Sequence, residues 1–142
     1  SLHDVISIYP MIKLEKINYN DLNVKAKEIY NFQKVSSIFA DYGFTTMWLN
    51  NDWEGADFIA VHNDGMTTLK VQLKGRMSFD KKYLNKDIYI CFREDEQTYL
   101  YPHDELLDLI PTYKEAVEKN GFRHLKRIPE IHKKLLAQYK LI

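Results

Sequence analysis

Residues 55–76 read GADFIAVHNDGMTTLKVQLKGR, and the fold turns on them. Asn63-Asp64-Gly65 separates the short apolar run 58–61 from the alternating run 67–74. An Asp-Gly pair between two such runs is a strong hairpin signal, because glycine readily takes the positive φ that tight turns need. The second run places Leu69, Val71 and Leu73 on one face and Lys70, Gln72 and Lys74 on the other. A two-residue turn at Asp64-Gly65 sets Asn63 against Met66 and carries Asp57 opposite Gln72. Opposed residues share a face, with Cβ atoms about 5 Å apart. Lys74 falls on that face, about 7 Å further along. The open end of the hairpin therefore gathers a carboxylate, an amide and an ammonium, and the Leu73 carbonyl adds an oxygen.

Such oxygens suit a hard cation. Mg²⁺ takes about six, commonly one or two carboxylates plus water and substrate phosphate. A lysine beside it can hold a phosphate or an attacking water, which equips the cluster for metal-assisted phosphodiester hydrolysis. The same alternation has a plainer reading, with Asp57 capping a turn and Gln72 and Lys74 on a solvated strand face.

Upstream, Ile29, Phe32, Val35, Ile38 and Phe39 recur at helical spacing, predicting a helix over about Val24–Asp41 with Asn23 as N-cap and Gly43 as its stop. Residues 44–49 then read as a strand and Asn50, Asn51, Asp52 and Gly55 as a loop. Downstream, residues 75–86 are polar and basic and could form a short helix or a loop. Residues 87–92 and 97–102 read as strands, and 104–110 as a helix. Thr112-Tyr113-Lys114-Glu115 reads as a capping box for a helix stopped by Asn120-Gly121. Pro129 opens a last helix to about Leu141. Helix, strands, then helices make an α/β or α+β domain.

The chain has 142 residues, 45% apolar and 28% charged, which fits a single globular domain. Twenty basic and twenty acidic side chains cancel, so nucleic acid must be met by a local patch rather than a whole-molecule field. The one cysteine, Cys91, excludes an internal disulfide or a cysteine-based zinc cluster, and reads as a buried filler in a reducing cytoplasm. No apolar run is long enough to span a membrane, and residues 1–9 lack the basic lead of a signal peptide.

Asp57, fourteen residues, then Gln72-Leu73-Lys74 resembles the D…(D/E)xK signature of the PD-(D/E)xK nuclease superfamily, and NFQKVSSIFADYGF at 31–44 is similar to its helix and following strand. The resemblance covers residues 24–102. It implies a restriction-endonuclease-like core, a central mixed β-sheet flanked by helices, with residues 1–22 as an extension and 103–142 as C-terminal helices. It also implies a Mg²⁺- or Mn²⁺-dependent endonuclease acting on DNA. Asp57, Gln72 and the Leu73 carbonyl would hold metal, Lys74 would position water and steady the phosphate, and Gln33, where the family's helical acid stands, would orient a water. Gln33 and Gln72 both replace acidic residues. That departure supports an alternative, a weak or inactive nuclease-fold module binding nucleic acid or a protein. Glu54 is a candidate substitute acid. A third reading is an unrelated interaction domain. Small nucleases that cut both strands commonly pair, which makes a homodimer the expected assembly.

Lys70, Lys74, Arg76, Lys81, Lys82 and Lys86 face a single acid, Asp80, before Asp87. Phosphate backbones are bound through such local charge, with Lys70, Arg76, Lys81, Lys82 and Lys86 as contacts and Phe79 and Tyr83 placed to stack on bases. A solvated loop is the other reading. Arg123, Lys126, Arg127, Lys133, Lys134 and Lys140 make the tail basic, with an apolar side of Ile128, Ile131, Leu135, Leu136 and Tyr139 that suits packing. His3, His62, His103, His124 and His132 lack metal-ligand spacing. Trp48 reads as core, and Trp53 as a residue over the site mouth.

Overall fold

The computed structural model describes residues 5–8 and 12–142, with side chains from residue 13 onward; His3 lies outside the described residues. Contacts divide the chain into two units, Ser1–Lys34 and Val35–Ile142. In the first, strands β1 (Val5–Ile8) and β2 (Ile12–Glu15) pair antiparallel. A 3-10 turn, Tyr19–Asp21, follows, capped by the Asn18 side chain. Helix α1 (Val24–Asp41) starts at the expected cap: Asn23 Oδ1 accepts the Ala26 N–H at 2.8 Å. Within this unit Asn31 donates to the Tyr19 hydroxyl, and the Tyr19 and Tyr30 rings lie 5.2 Å apart.

The last residues of α1 belong to the second unit. Gly43, at φ +84°, ends the helical course as expected, because a Cβ there would also meet His62 Nε2 at 2.9 Å. A six-stranded sheet follows. Its strands are β3 (Phe44–Trp53), β4 (Ala56–His62), β5 (Thr68–Lys74), β7 (Ile88–Glu94), β8 (Gln97–Pro102) and β10 (Lys140–Leu141). The spatial order is β10-β8-β7-β5-β4-β3, with β5 and β7 parallel and every other neighbour antiparallel. This is the expected mixed sheet flanked by helices. On one face Phe58 meets Phe39 of α1 with ring centres 5.6 Å apart. The other face carries the main core, where Ile88, Ile90, Phe92 and Tyr101 pack with residues of α2 (His103–Asp108) and α3 (Pro111–Asn120).

Several expectations are corrected by pairing that local sequence does not encode. Residues 50–53 are not loop but the end of β3, which turns tightly through Glu54 and Gly55, both at positive φ. The turn at Asp64 is a four-residue loop, since the His62 N–H bonds Thr67 O. Asp64 organises it by accepting from the Met66 and Thr67 N–H groups, and Gly65 alone takes the left-handed φ. The register is nevertheless the expected one, with Val61 against Thr68 and Phe58 against Val71.

The 75–86 segment is neither a helix nor an open loop. It holds β6 (Ser78–Asp80), paired with β9 (Phe122–His124), and a 3-10 turn, Lys81–Tyr83. Phe79 and Tyr83 are core residues, 0% and 2% exposed, so neither can stack on a base. Pro111 opens α3 in place of the Thr112 capping box, and no side chain caps that end. Gly121 closes it at φ +89° as expected. The last helix shrinks to a 3-10 turn, Glu130–His132, and α4 (Lys133–Ala137), because residues 140–141 leave to pair with β8. Ile128 and Leu136 of the tail are buried, but Ile131 is exposed.

Candidate active site

Asp57 stands where the sheet loses its regularity on both sides. Between the Trp48–Phe58 and Trp53–Ala56 pairs, residues 49–52 of β3 oppose Asp57 alone. That bulge kinks the edge strand. On the β5 side the regular pairs stop at Phe58–Val71, and the Leu73 N–H donates to Asp57 Oδ2 at 2.8 Å. A carboxylate thus takes the place of a ladder carbonyl where β4 and β5 part. The N–H and C=O of one strand residue point the same way, so the Leu73 carbonyl faces this fork too.

Asp57, Gln72 and Lys74 line one cleft of about 310 Å³ together with Asp52, Gly55, Lys82, Tyr83 and Lys86. Gly55 is required by its φ of +88° and by the Tyr83 ring, whose Cδ1 lies 3.0 Å from where a Cβ would stand. Lys74 Nζ lies 5.4 Å from the Tyr83 ring centre and Lys82 Nζ 5.3 Å. Burial, and then the neighbouring Lys82 charge, lower the Lys74 pKa, while Asp57 and Asp80 oppose them. Burial, then Asp80, Asp57 and Asp52, hold the Tyr83 hydroxyl neutral far into the alkaline range.

Asp52 is the cleft residue that sequence reasoning passed over. Its signal was the Asn50-Asn51-Asp52 run, which a hairpin register without the bulge places away from Asp57. Glu54 has other work: its Oε2 accepts from Lys70 Nζ at 2.8 Å, and that pairing lowers its pKa. Lys70 also stands 5.6 Å from the Trp53 ring centre, so Trp53 pairs with it rather than lining the cleft. Lys82 and Lys86 line the cleft, Lys81 is exposed nearby in sequence, and Arg76 lines a second hollow. Gln33 is exposed on the part of α1 that belongs to the first unit.

The remaining titratable candidates have structural work. His103 is fully buried: its Nε2 accepts the Asp80 N–H at 3.0 Å, which leaves Nδ1 to donate to Asp104 at 2.8 Å. Burial raises the Cys91 thiol to about 12, so it is the expected inert filler. Arg127 of the basic tail pairs with Asp95 and Glu94 of the β7–β8 turn.

The donors of the cleft fit a magnesium-type ion. Among the described residues no three His, Cys, Asp or Glu side chains cluster as a complete ligand cage. Magnesium needs none: two carboxylates, Asp52 and Asp57, with the Gln72 amide oxygen leave positions for water and phosphate. No helix among the described residues is long and apolar enough to cross a membrane.

Neither protein-family models nor curated proteins give a match to this sequence. Among solved structures, the chain is similar to a bacterial homing endonuclease, at 17% identity and a TM-score of 0.48, over 83% of this chain and 86% of that one.

Proposed function

We propose that the protein is a divalent-metal-dependent endonuclease hydrolysing phosphodiester bonds of DNA. The observation that carries this reading is the convergence of Asp57, Gln72 and Lys74 in one cleft, where Asp57 leaves the ladder to cap Leu73. Asp57, Gln72 and the Leu73 carbonyl would hold Mg²⁺ or Mn²⁺, with Asp52 as a second carboxylate. The ion, when bound, polarises the phosphate and lowers the pKa of a water. Lys74 is held over Tyr83 in a half-buried site, where its charge is less screened than at the surface. It would hold the phosphate and stabilise the charge that develops there. Lys82 and Lys86 at the cleft wall would receive the backbone on either side. A cut through both strands needs two centres, which a second copy of the chain would supply.

A binding-only module is the second reading, favoured by the amides at residues 33 and 72. One experiment separates the two: incubate wild type, Lys74→Ala and Gln72→Glu with plasmid DNA and Mg²⁺ or Mn²⁺, and measure metal affinity by calorimetry. The nuclease reading expects nicking by wild type, a loss of a hundredfold or more in Lys74→Ala, and tighter Mg²⁺ binding in Gln72→Glu. Cutting by Gln72→Glu alone makes the natural protein the binding module. Absence of metal binding and cutting in all three ends the nuclease reading.

A further inference from the structure

A second hollow, about 550 Å³, lies beside β9 and is lined by Arg76, Ala116, Asn120, Phe122, Arg123 and His124. Two arginines are among its lining residues, and no carboxylate is. Arg123 is held in place: its Nη1 donates to His124 O at 2.9 Å, and its guanidinium carbon stands 5.2 Å from the Tyr113 ring centre. A fork fixed this way loses little freedom on meeting two oxygens of a phosphate. His124 Nδ1 is shielded from solvent with no hydrogen-bond partner. A shielded nitrogen without a partner costs free energy.

The hollow also has a flat apolar wall. Phe122 is 50% exposed, and its ring stacks on His124 with centres 5.0 Å apart and planes at 25°. Phosphate-binding cations beside an exposed aromatic plate are the two parts of a single-strand nucleic-acid site. Position relative to the first cleft fits as well. Ser78 pairs with His124 and Asp80 with Phe122, and β6 runs in the chain between Lys74 and Lys82 of the first cleft. Arg76, Lys74 and Lys82 all act electrostatically on His124, with Asp80 as the opposing charge.

Resting on the nuclease reading of the Asp57 cleft, we infer that the β9 hollow binds an unpaired nucleotide flanking the reaction centre. Arg76 and Arg123 take its phosphate, and Phe122 stacks on its base. A substrate with an unpaired strand beside the cut, at a junction or an open end, would then bind more tightly than plain duplex.

Fluorescence anisotropy with a labelled 12-nucleotide single strand and the matching blunt duplex tests this in metal-free buffer. Phe122→Ala should weaken single-strand binding about 5- to 150-fold and leave duplex binding within about twofold, since a stacked base contributes on that scale. Phe122→Leu, which keeps the apolar bulk without the flat ring, should behave like Phe122→Ala. Arg76→Ala should weaken both and lower the salt slope by about one phosphate contact. Thermal melts of each variant check the fold. If the variants match wild type on both probes while wild type binds, the hollow is no nucleotide site and the Asp57 reading stands. If wild type binds neither probe at low salt, both readings fall together.

Discussion

Two hairpins flank the parallel β5–β7 pair and end differently. β7–β8 pairs without a break from Glu94–Gln97 at the turn to Tyr89–Pro102 at the far end. Its turn, Asp95-Glu96, holds both residues at positive φ, 51° and 66°, the twist that a two-residue hairpin demands. β4–β5 pairs regularly only from Val61–Thr68 to Phe58–Val71, then parts around Asp57. The unbroken ladder supplies core, with Ile90, Phe92 and Tyr101 all 0% exposed. The broken one leaves half-buried polar groups that a side chain must satisfy, and the candidate chemistry collects at that place. An interrupted ladder thus serves as a site where an intact one serves as scaffold.

The largest expected effect separates the two roles of Asp57. Asp57→Asn keeps an oxygen for the Leu73 N–H but removes the charge. It should fold with nearly wild-type stability and lose cleavage by a hundredfold or more. Asp57→Ala should lose cleavage and also cost about 1–3 kcal/mol, because it strands a main-chain donor. Denaturant unfolding of the pair, beside a plasmid-nicking assay, checks this. Equal stabilities would mean that the Asp57–Leu73 bond does not hold the fork.

The contrast also explains what could be read from sequence. Helix α1 was legible to the residue because Asn23 and Gly43 are local signals acting through their own backbone. The β4–β5 register survived a wrong turn length, because Asp64 closes a four-residue loop in the same phase as the two-residue turn expected. Strands β6, β9 and β10 were hidden, since each exists only through a partner at least 40 residues away. Met77, Phe79 and Tyr83 were the missed clue in residues 75–86, core side chains interleaved with the lysines that drew attention. Asp52 was lost with the bulge, a feature that depends on four residues finding one partner.

On the scaffold side, Tyr101→Phe is the next effect in size. The buried hydroxyl donates to Ser78 O at 2.6 Å and accepts from Ser78 N–H at 3.0 Å, tying β8 to β6. Removing it leaves two Ser78 groups unmatched, a cost of about 2 kcal/mol, or a Tm lower by about 4–8 °C. Calorimetry should show that drop, with metal affinity of the Asp57 cleft unchanged. A loss of metal affinity equal to that of Asp57→Asn would show that the two hairpins are not separable.

Smaller still is Glu96→Gly at the scaffold turn. Glu96 stands at φ +66°, where an L side chain is strained and glycine is not. The change should raise stability by about 0.5–1 kcal/mol, read as a higher urea midpoint at constant slope. A lower midpoint would mean that the Glu96 side chain does more for the turn than its backbone costs.

The smallest effect concerns the other turn and comes with a pH signature. The Met66 and Thr67 N–H groups, in that order, hold the Asp64 carboxyl below its ordinary value of 3.8. A depressed folded-state pKa means that the unfolded chain binds the proton more readily. The contribution is therefore complete above about pH 4, where both states are ionised, and is lost as pH falls through the folded value. Asp64→Asn keeps an acceptor for the loop and loses only the charge, so its effect at pH 7 should be slight. Melting curves of wild type and variant from pH 7 to pH 2 should run parallel at first and converge below about pH 4. If the gap stays constant to pH 2, the charge on Asp64 does not organise the loop. The fork at Asp57 would then inherit its register from the strands alone, and not from the turn that joins them.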